Sequence, residues 1–359
     1  MPELRRDPIT GEWVVIASER AKRPSDFASH SPGREEQNSA NCPFCSGNEG
    51  MTPPEIMAFR HPGSQRNGRG WWVRVIPNKF PALGIEGDLN KTGLGMYDWM
   101  NGVGAHEVIV ETPEHDKHLA SLDDRQIEDV LWAYRARYLD LKKDPRLKYI
   151  LIFRNYGRVA GASLTHPHSQ LVATPVIPGV VANELHGARR YSEYRDRCVF
   201  CDILRQEQNE GKRLVSENEH FVVLQPYASR SPFETWIVPK RHGASFAAIS
   251  AEEQTGFAVM LGETLRRLHL CLDDPPYNFN IHTAPCDEDE GEEFHWHLSI
   301  SPRLTIAAGF EMGTGIYINV TPPEVAAEYL RETDPSAVAV VAGKSDVPAE
   351  QNGHEHSAV

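Results

Sequence analysis

The chain has 359 residues, 40% of them hydrophobic and 24% charged, an ordinary globular composition with enough length for one large or two ordinary domains. Its formal net charge of −13 excludes a protein that coats nucleic acid, because neutralising phosphates needs a basic surface. No apolar run is long enough to span a bilayer and no signal peptide precedes Asp7, so the sequence predicts a cytoplasmic protein without membrane or nucleic-acid partners.

In chain order, the first motif is Cys42-Pro-Phe-Cys45, a CxxC pair that in a cytosolic protein reads as a metal or redox site before a disulfide. The run from His106 to His115 then reads as a strand ending near a histidine. Ser121-Leu-Asp-Asp124 is a capping signal, and Ile127, Leu131, Tyr134 and Tyr138 behind it fall on one helical stripe. Tyr149-Ile-Leu-Ile-Phe153 is a short strand, followed by a loop with Asn155, Gly161 and Ser163. That loop leads to His166-Pro-His168-Ser-Gln170, and Gln170-Leu-Val-Ala-Thr174 is apolar enough for another strand. Strand side chains alternate faces, so His166, His168 and Gln170 are expected on one face. Two imidazoles and a carboxamide in a row suit a phosphoryl group. One ring can be held by a metal, one can attack, and the amide can donate hydrogen bonds to oxygens.

The second half repeats this order. It has Cys198-Val-Phe-Cys201, a strand from Phe233 to His242, and the cap Ser250-Ala-Glu-Glu253 before the stripe Phe257, Leu261, Leu265 and Leu268. A strand Tyr277–Ile281 and the pair His295-Trp-His297 complete it. Ser121 to His166 and Ser250 to His295 both span 45 positions, while His115 to His166 spans 51 and His242 to His295 spans 53. The series predicts two copies of one α+β unit, over 1–180 and 181–333, each a mostly antiparallel sheet with a long helix. A polar tail over 334–359, with His354 and His356, is expected to be disordered. Cys271 and Cys286 read as plain thiols, and His106, His118 and His269 acquire no role.

The repeat also selects metal ligands. Zinc prefers four tetrahedral N/S ligands, and a CxxC with two distant histidines is a closed structural set. The first site is then Cys42, Cys45, His115 and His166, and the second Cys198, Cys201, His242 and His295. Redox dithiols, one all-cysteine site, or a separate site on His282, His295 and His297 are the rivals, and the matched spacings favour two zinc sites. Aligning His166 with His295 sets His168 opposite His297 and Gln170 opposite Ser299. The second copy lacks the glutamine and follows the acidic run Asp287–Glu293, so one working site is expected, in the first half.

These motifs, from about Asp7 to Leu330, resemble the galactose-1-phosphate uridylyltransferases, the nucleotidyltransferase branch of the histidine-triad superfamily. Asp7-Pro-Ile-Thr-Gly-Glu-Trp13 and Arg20-Ala-Lys-Arg23-Pro are similar to the family's N-terminal signature, and Asn78-Lys-Phe80-Pro to its nucleoside-binding segment. Asn155, Gly161 and Ser163 match its phosphate-binding loop. The resemblance implies two tandem histidine-triad-like half-domains and ping-pong chemistry in galactose metabolism. His168 would take the uridylyl group of UDP-glucose, release glucose 1-phosphate, and pass the group to galactose 1-phosphate. Gln170 and Ser163 would supply donors, Arg20 and Arg23 would neutralise phosphate charge, and Asn78, Phe80, Asn155 and Gly161 would line the substrate site. The partners implied are a nucleotide sugar, a hexose 1-phosphate and a second copy of the chain in a homodimer.

The chain departs from that pattern in three places. Ser169 stands where many uridylyltransferases have glycine, Cys198 and Cys201 stand where they use an acidic or histidine-rich second site, and Asn78-Lys79 replaces an acidic neighbour. Tyr317 falls near the position where the better-known uridylyltransferases carry a sugar-phosphate-contacting glutamine. This combination resembles a sister branch that includes ADP-glucose phosphorylase, which passes adenylyl to inorganic phosphate through the same histidine. A zinc-stapled binding module and a nucleotide hydrolase are the remaining readings, and the intact His168 and Gln170 weigh against both.

Overall fold

The computed structural model describes residues 1–20, 22–28, 39–287 and 293–340, with the side chains of Arg20 and Ala28 outside the description. The expected phosphate contact of Arg20, most of the acidic run and the tail beyond residue 340 therefore lie outside the described residues. In chain order the strands are β1 (Glu3–Arg6), β2 (Trp13–Ile16), β3 (Met57–Arg60), β4 (Trp71–Pro77), β5 (Thr92–Leu94), β6 (Tyr97–Trp99), β7 (Ala105–Val110), β8 (Tyr149–Tyr156), β9 (His168–Thr174), β10 (Leu214–Glu217), β11 (Phe221–Leu224), β12 (Thr235–Pro239), β13 (Tyr277–His282), β14 (His297–Pro302) and β15 (Tyr317–Asn319). The helices are α1 (Ser25–Ala28), α2 (Asp124–Leu141), α3 (Gly179–Arg195), α4 (Val199–Glu210), α5 (Ala251–Leu272), α6 (Gly309–Thr314) and α7 (Pro323–Glu332).

Ten strands form one antiparallel sheet in the order β10-β11-β12-β14-β13-β8-β9-β7-β4-β3. Each half contributes five neighbouring strands, and the halves meet where β13 pairs with β8, Asn278 opposite Asn155. The fold is thus α+β with two repeated halves, fused through a shared sheet. Alternation decides the faces of the central strands: Ser169, Leu171 and Ala173 of β9 are fully buried toward the helices, while His168 and Gln170 point to the other face.

The helix-side core packs α2 and α5 beside each other across the junction. The α2 stripe Ile127, Leu131, Tyr134 and Tyr138 and the α5 stripe Phe257, Leu261, Leu265 and Leu268 are buried as the sequence spacing predicts. Ser250 caps α5 in a reciprocal box with Glu253. The first copy differs: Asp123 caps α2 by accepting from the Gln126 amide at 2.7 Å, and Ser121 instead closes a short 3₁₀ turn over Leu119–Ser121. A carboxylate two residues nearer the helix is a better acceptor for its free amides, and that choice wins.

Two features cross the halves. The N-terminal strand β2 pairs in parallel with β15, and Arg5 of β1 binds Glu324 of α7 at 2.8 Å. The chain therefore begins against its own C-terminal half. The start of the expected tail, Pro335–Ala337, is a 3₁₀ turn beside α5. Among the described residues no helix is long and apolar enough to cross a membrane.

Candidate active site and metal centres

The nucleophile candidate is fixed by its own motif. β9 begins at His168, so His166 lies in the preceding turn and not on the strand, but the two remain coupled. The His166 carbonyl lies 2.8 Å from His168 Nδ1 and accepts its proton, leaving the lone pair on Nε2. Burial pushes the His168 pKa below the ordinary 6.5, which favours the neutral, nucleophilic ring. The Phe44 ring stands 5.3 Å from the His168 ring and helps to hold it.

Gln170 is oriented by a residue that the sequence reading left without a role. His106 of β7 sits with its Nε2 2.8 Å from Gln170 Oε1. The Ala82 amide donates to His106 Nδ1 at 3.2 Å, so the ring proton is on Nε2 and goes to the glutamine carbonyl. That contact uses the Gln170 carbonyl and not its amide hydrogens. Asn78 Oδ1 accepts from the Phe80 amide at 2.9 Å in a local turn, with its Nδ2 3.1 Å from His106 Nε2. The Phe80 ring itself is exposed. The signal for His106 was present: two-residue periodicity puts it on the face of Val108 and Val110, and Val110 is paired with His168.

The loop over 157–161 is shaped by glycine and pinned by the second half. Gly157 and Gly161 both have left-handed φ, 82° and 92°, and a side chain at Gly157 would meet Pro276. Asn278 of β13 donates to Asn155 Oδ1 at 2.7 Å and to the Ala160 carbonyl at 2.8 Å, and Arg303 donates in turn to Asn278. Ser163 is exposed beyond this loop. Arg23 is exposed beside α1, and among the described residues no described hydrogen bond or ion pair ties it to His168 or Gln170.

Behind β9 the polarity continues into the core. Ser169 donates to Glu111 and accepts from Tyr134 at 2.5 Å, while Arg154 holds Glu111 through two nitrogens at 2.9 and 3.1 Å. All four residues are essentially buried, and the charges are paired.

The two sets of cysteines and histidines each converge. In both, the four ligand atoms lie within 4.8 Å of one another. Cys45 Sγ is 3.3 Å from His115 Nδ1 and 3.5 Å from His166 Nδ1, and Cys201 Sγ is 3.5 Å from Nδ1 of both His242 and His295. His166 Nε2 donates to the Thr112 carbonyl at 2.8 Å and His295 Nε2 to the Pro239 carbonyl at 2.9 Å. Those bonds leave Nδ1 of each ring unprotonated and aimed at the sulfurs, the tautomer that a metal requires. The donor set fits a tetrahedral cation held without an open position. His295 is therefore turned away from His282 and His297, which stack on each other with centroids 4.6 Å apart, and His282 bonds Glu184 at 3.0 Å.

The second copy keeps the same internal hydrogen bond, His297 Nδ1 to the His295 carbonyl at 3.2 Å. Its outer face is filled, however. Trp236 lies 4.8 Å from the His297 ring, and Leu204 of α4 packs on Val222, Leu224 and Val238. Burial and the neighbouring His282 push the His297 pKa down to about 3.

The sequence that builds this geometry has relatives among known proteins. The model of the galactose-1-phosphate uridyl transferase N-terminal domain matches residues 1–178, and that of the C-terminal domain matches residues 184–338. ADP-glucose phosphorylase of Arabidopsis thaliana is 38% identical over 92% of this chain and 93% of its own length. Galactose-1-phosphate uridylyltransferase of Thermotoga maritima is 33% identical over 93% of this chain and 99% of its own. The crystal structure of the Arabidopsis ADP-glucose phosphorylase with bound ADP-glucose superposes with a TM-score of 0.78 at 36% identity, covering 93% of this chain and all of that one.

Proposed function

We infer that this chain, which belongs to the galactose-1-phosphate uridyl transferase family, is a hexose-1-phosphate nucleotidyltransferase working through His168. The observation that carries the reading is the His168 hydrogen bond to its own motif, which presents an unprotonated Nε2 beside the Gln170 amide. In the first step Nε2 attacks the α-phosphorus of UDP-glucose, a P–N bond forms, and the bond to the glucose 1-phosphate oxygen breaks. In the second a phosphate oxygen of galactose 1-phosphate attacks the same phosphorus, the P–N bond breaks, and UDP-galactose leaves with the ring neutral again. Splitting one transfer into two suits a buried neutral imidazole.

The remaining residues position and neutralise. The Gln170 amide hydrogens donate to the phosphoryl oxygens where negative charge builds up, and the loop of Asn155, Gly161 and Ser163 offers further donors. Asn78 and Phe80 border the nucleoside side, and Arg20 and Arg23 complement phosphate charge. Zinc held by Cys42, Cys45, His115 and His166, and by Cys198, Cys201, His242 and His295, would supply rigidity and no reacting position. The cytoplasm, where thiols stay reduced, suits these free cysteines. A homodimer is part of the same proposal, and sedimentation of the purified chain tests it.

A second reading, adenylyl transfer from ADP-glucose to inorganic phosphate, is supported by the 38% identity to the Arabidopsis phosphorylase and by Asn78-Lys79. One experiment tests both. The protein is incubated without acceptor with UDP-glucose or ADP-glucose labelled at the α-phosphate. Acid-labile protein label that is absent in His168→Ala is the expected result, and the productive donor names the base. Chasing with galactose 1-phosphate or phosphate names the acceptor. Absence of label from both donors overturns the transferase reading.

A further inference from the structure

Three side chains outside the two cysteine sites converge at the junction of the halves. His118 comes from the loop before α2, and His269 and Asp274 come from the end of α5 and the turn beyond it. One ligand atom from each lies within 4.8 Å of the other two, and all three side chains are partly exposed. His269 Nδ1 is 3.0 Å from Asp274 Oδ1, and the two imidazole centroids are 5.1 Å apart. We propose that His118, His269 and Asp274 form a third, exchangeable site for a divalent transition cation of the zinc or cobalt class, bridging the two halves.

Each ligand is held from behind. Ser121 Oγ accepts from the His118 amide at 3.1 Å and donates to the His118 carbonyl at 2.9 Å, which pins the loop that carries the ring. Asp273 and Asp274 both adopt left-handed backbone, φ 56° and 54°, with the Asp274 amide bonded to the His269 carbonyl at 2.9 Å. Two consecutive aspartates in that conformation turn the second carboxylate back over the helix end. Tyr156 donates to that carboxylate at 2.8 Å, the outer-shell contact that typically orients a metal-binding carboxylate.

Two imidazoles and one carboxylate select a borderline cation over calcium or magnesium, which prefer all-oxygen shells. Three protein ligands leave a position for water, so this site exchanges its ion more readily than the closed cysteine sets. It is also not a product of the repeat. The 129-residue offset between copies (Ser121 to Ser250) sets Ala247 opposite His118, Asp140 opposite His269 and Pro145 opposite Asp274, so the mirrored junction has no such cluster.

The test uses the full chain with its cysteine sites loaded. Cobalt is added and bound metal is counted by equilibrium dialysis and elemental analysis, with the visible d–d spectrum recorded. The wild type takes up a third equivalent with a band lacking thiolate charge transfer, and its melting temperature rises with cobalt. His269→Asn and His118→Asn each lose that equivalent and the thermal shift while retaining the other two. Should His269→Asn fail to fold, His118→Asn, a loop substitution, and the wild-type spectrum decide alone. Equal metal counts in wild type and variant, or no third equivalent at millimolar cobalt, overturn the proposal.

Discussion

The two halves of this chain carry the same Cys/His set, the same HxH hydrogen bond and the same five-strand order, yet the strand face beside the second HxH motif is covered. In the first, His168 shares its strand face with Gln170, which His106 holds, and Ser163 and Phe80 are exposed. In the second, Ser299 replaces the amide, Trp236 lies over His297, and α4 packs against the outer face. On the proposed reading, the difference means that holding a metal and doing the chemistry are separable tasks. A metal held by the Cys/His set would fix where the HxH turn sits, and what covers the neighbouring strand face would decide whether that turn can react.

The largest expected effect separates the two central histidines. His168→Ala should abolish covalent labelling and lower turnover by on the order of 10⁴-fold or more, since the nucleophile is removed. His297→Asn should leave labelling within about threefold of wild type, because no reacting atom depends on it and only packing and a single hydrogen bond of about 1 kcal/mol are lost. Equal loss in both variants, measured on folded protein, breaks the comparison. Next come the staples. Cys45→Ser and Cys201→Ser should each lose one metal equivalent and cost about 4 kcal/mol or more in stability. Only Cys45→Ser should also lower the specific activity of the folded fraction, because His166 sits two residues from the nucleophile. Metal analysis with a parallel labelling assay checks both.

These contrasts also mark what the sequence could carry. Four convergent ligand atoms tolerate little drift in spacing, so the convergence of each cysteine–histidine set and the repeat could be read directly. The buried stripes of α2 and α5 followed from their period. The fusion of two sheets through β8 and β13 could not be read, since edge strands with similar alternation can pair or stay apart. Neither could the reach of Asn278 into the loop of the other half, because nothing local links residues 123 positions apart. His106 was legible in principle. Its isolation in the sequence hid it, and only the pairing of Val110 with His168 fixes which face it shares.

A smaller effect tests that isolated residue. Gln170→Leu removes a donor aimed at developing charge and should cost about 10²–10³-fold in kcat, the range seen for one oxyanion-type donor. His106→Ala leaves the amide present but unoriented, so we expect about tenfold, with KM for the nucleotide sugar changed less than kcat. His106→Gln, which can still donate to the Gln170 carbonyl, should recover part of the loss. A His106→Ala enzyme with wild-type kcat removes His106 from the site.

The smallest effect lies on the helix side of the sheet, where Asp129 of α2 matches Ala258 of α5 at the 129-residue offset. Burial pushes the Asp129 carboxyl up to about 6, against the hydrogen bond that Trp72 Nε1 donates at 2.8 Å. A carboxyl whose folded pKa exceeds its unfolded value of about 3.9 binds its proton more tightly in the native state. Its contribution is therefore fully present below about pH 4 and is lost as the pH rises through about 6. Asp129→Asn keeps an acceptor for Trp72 and cannot ionise, so it should gain about 1 kcal/mol over wild type at pH 8 and little at pH 4. Denaturant unfolding of both proteins across that range measures the difference. A gain that is independent of pH would mean that packing, and not the charge unique to the first copy, separates the paired positions on the two helices.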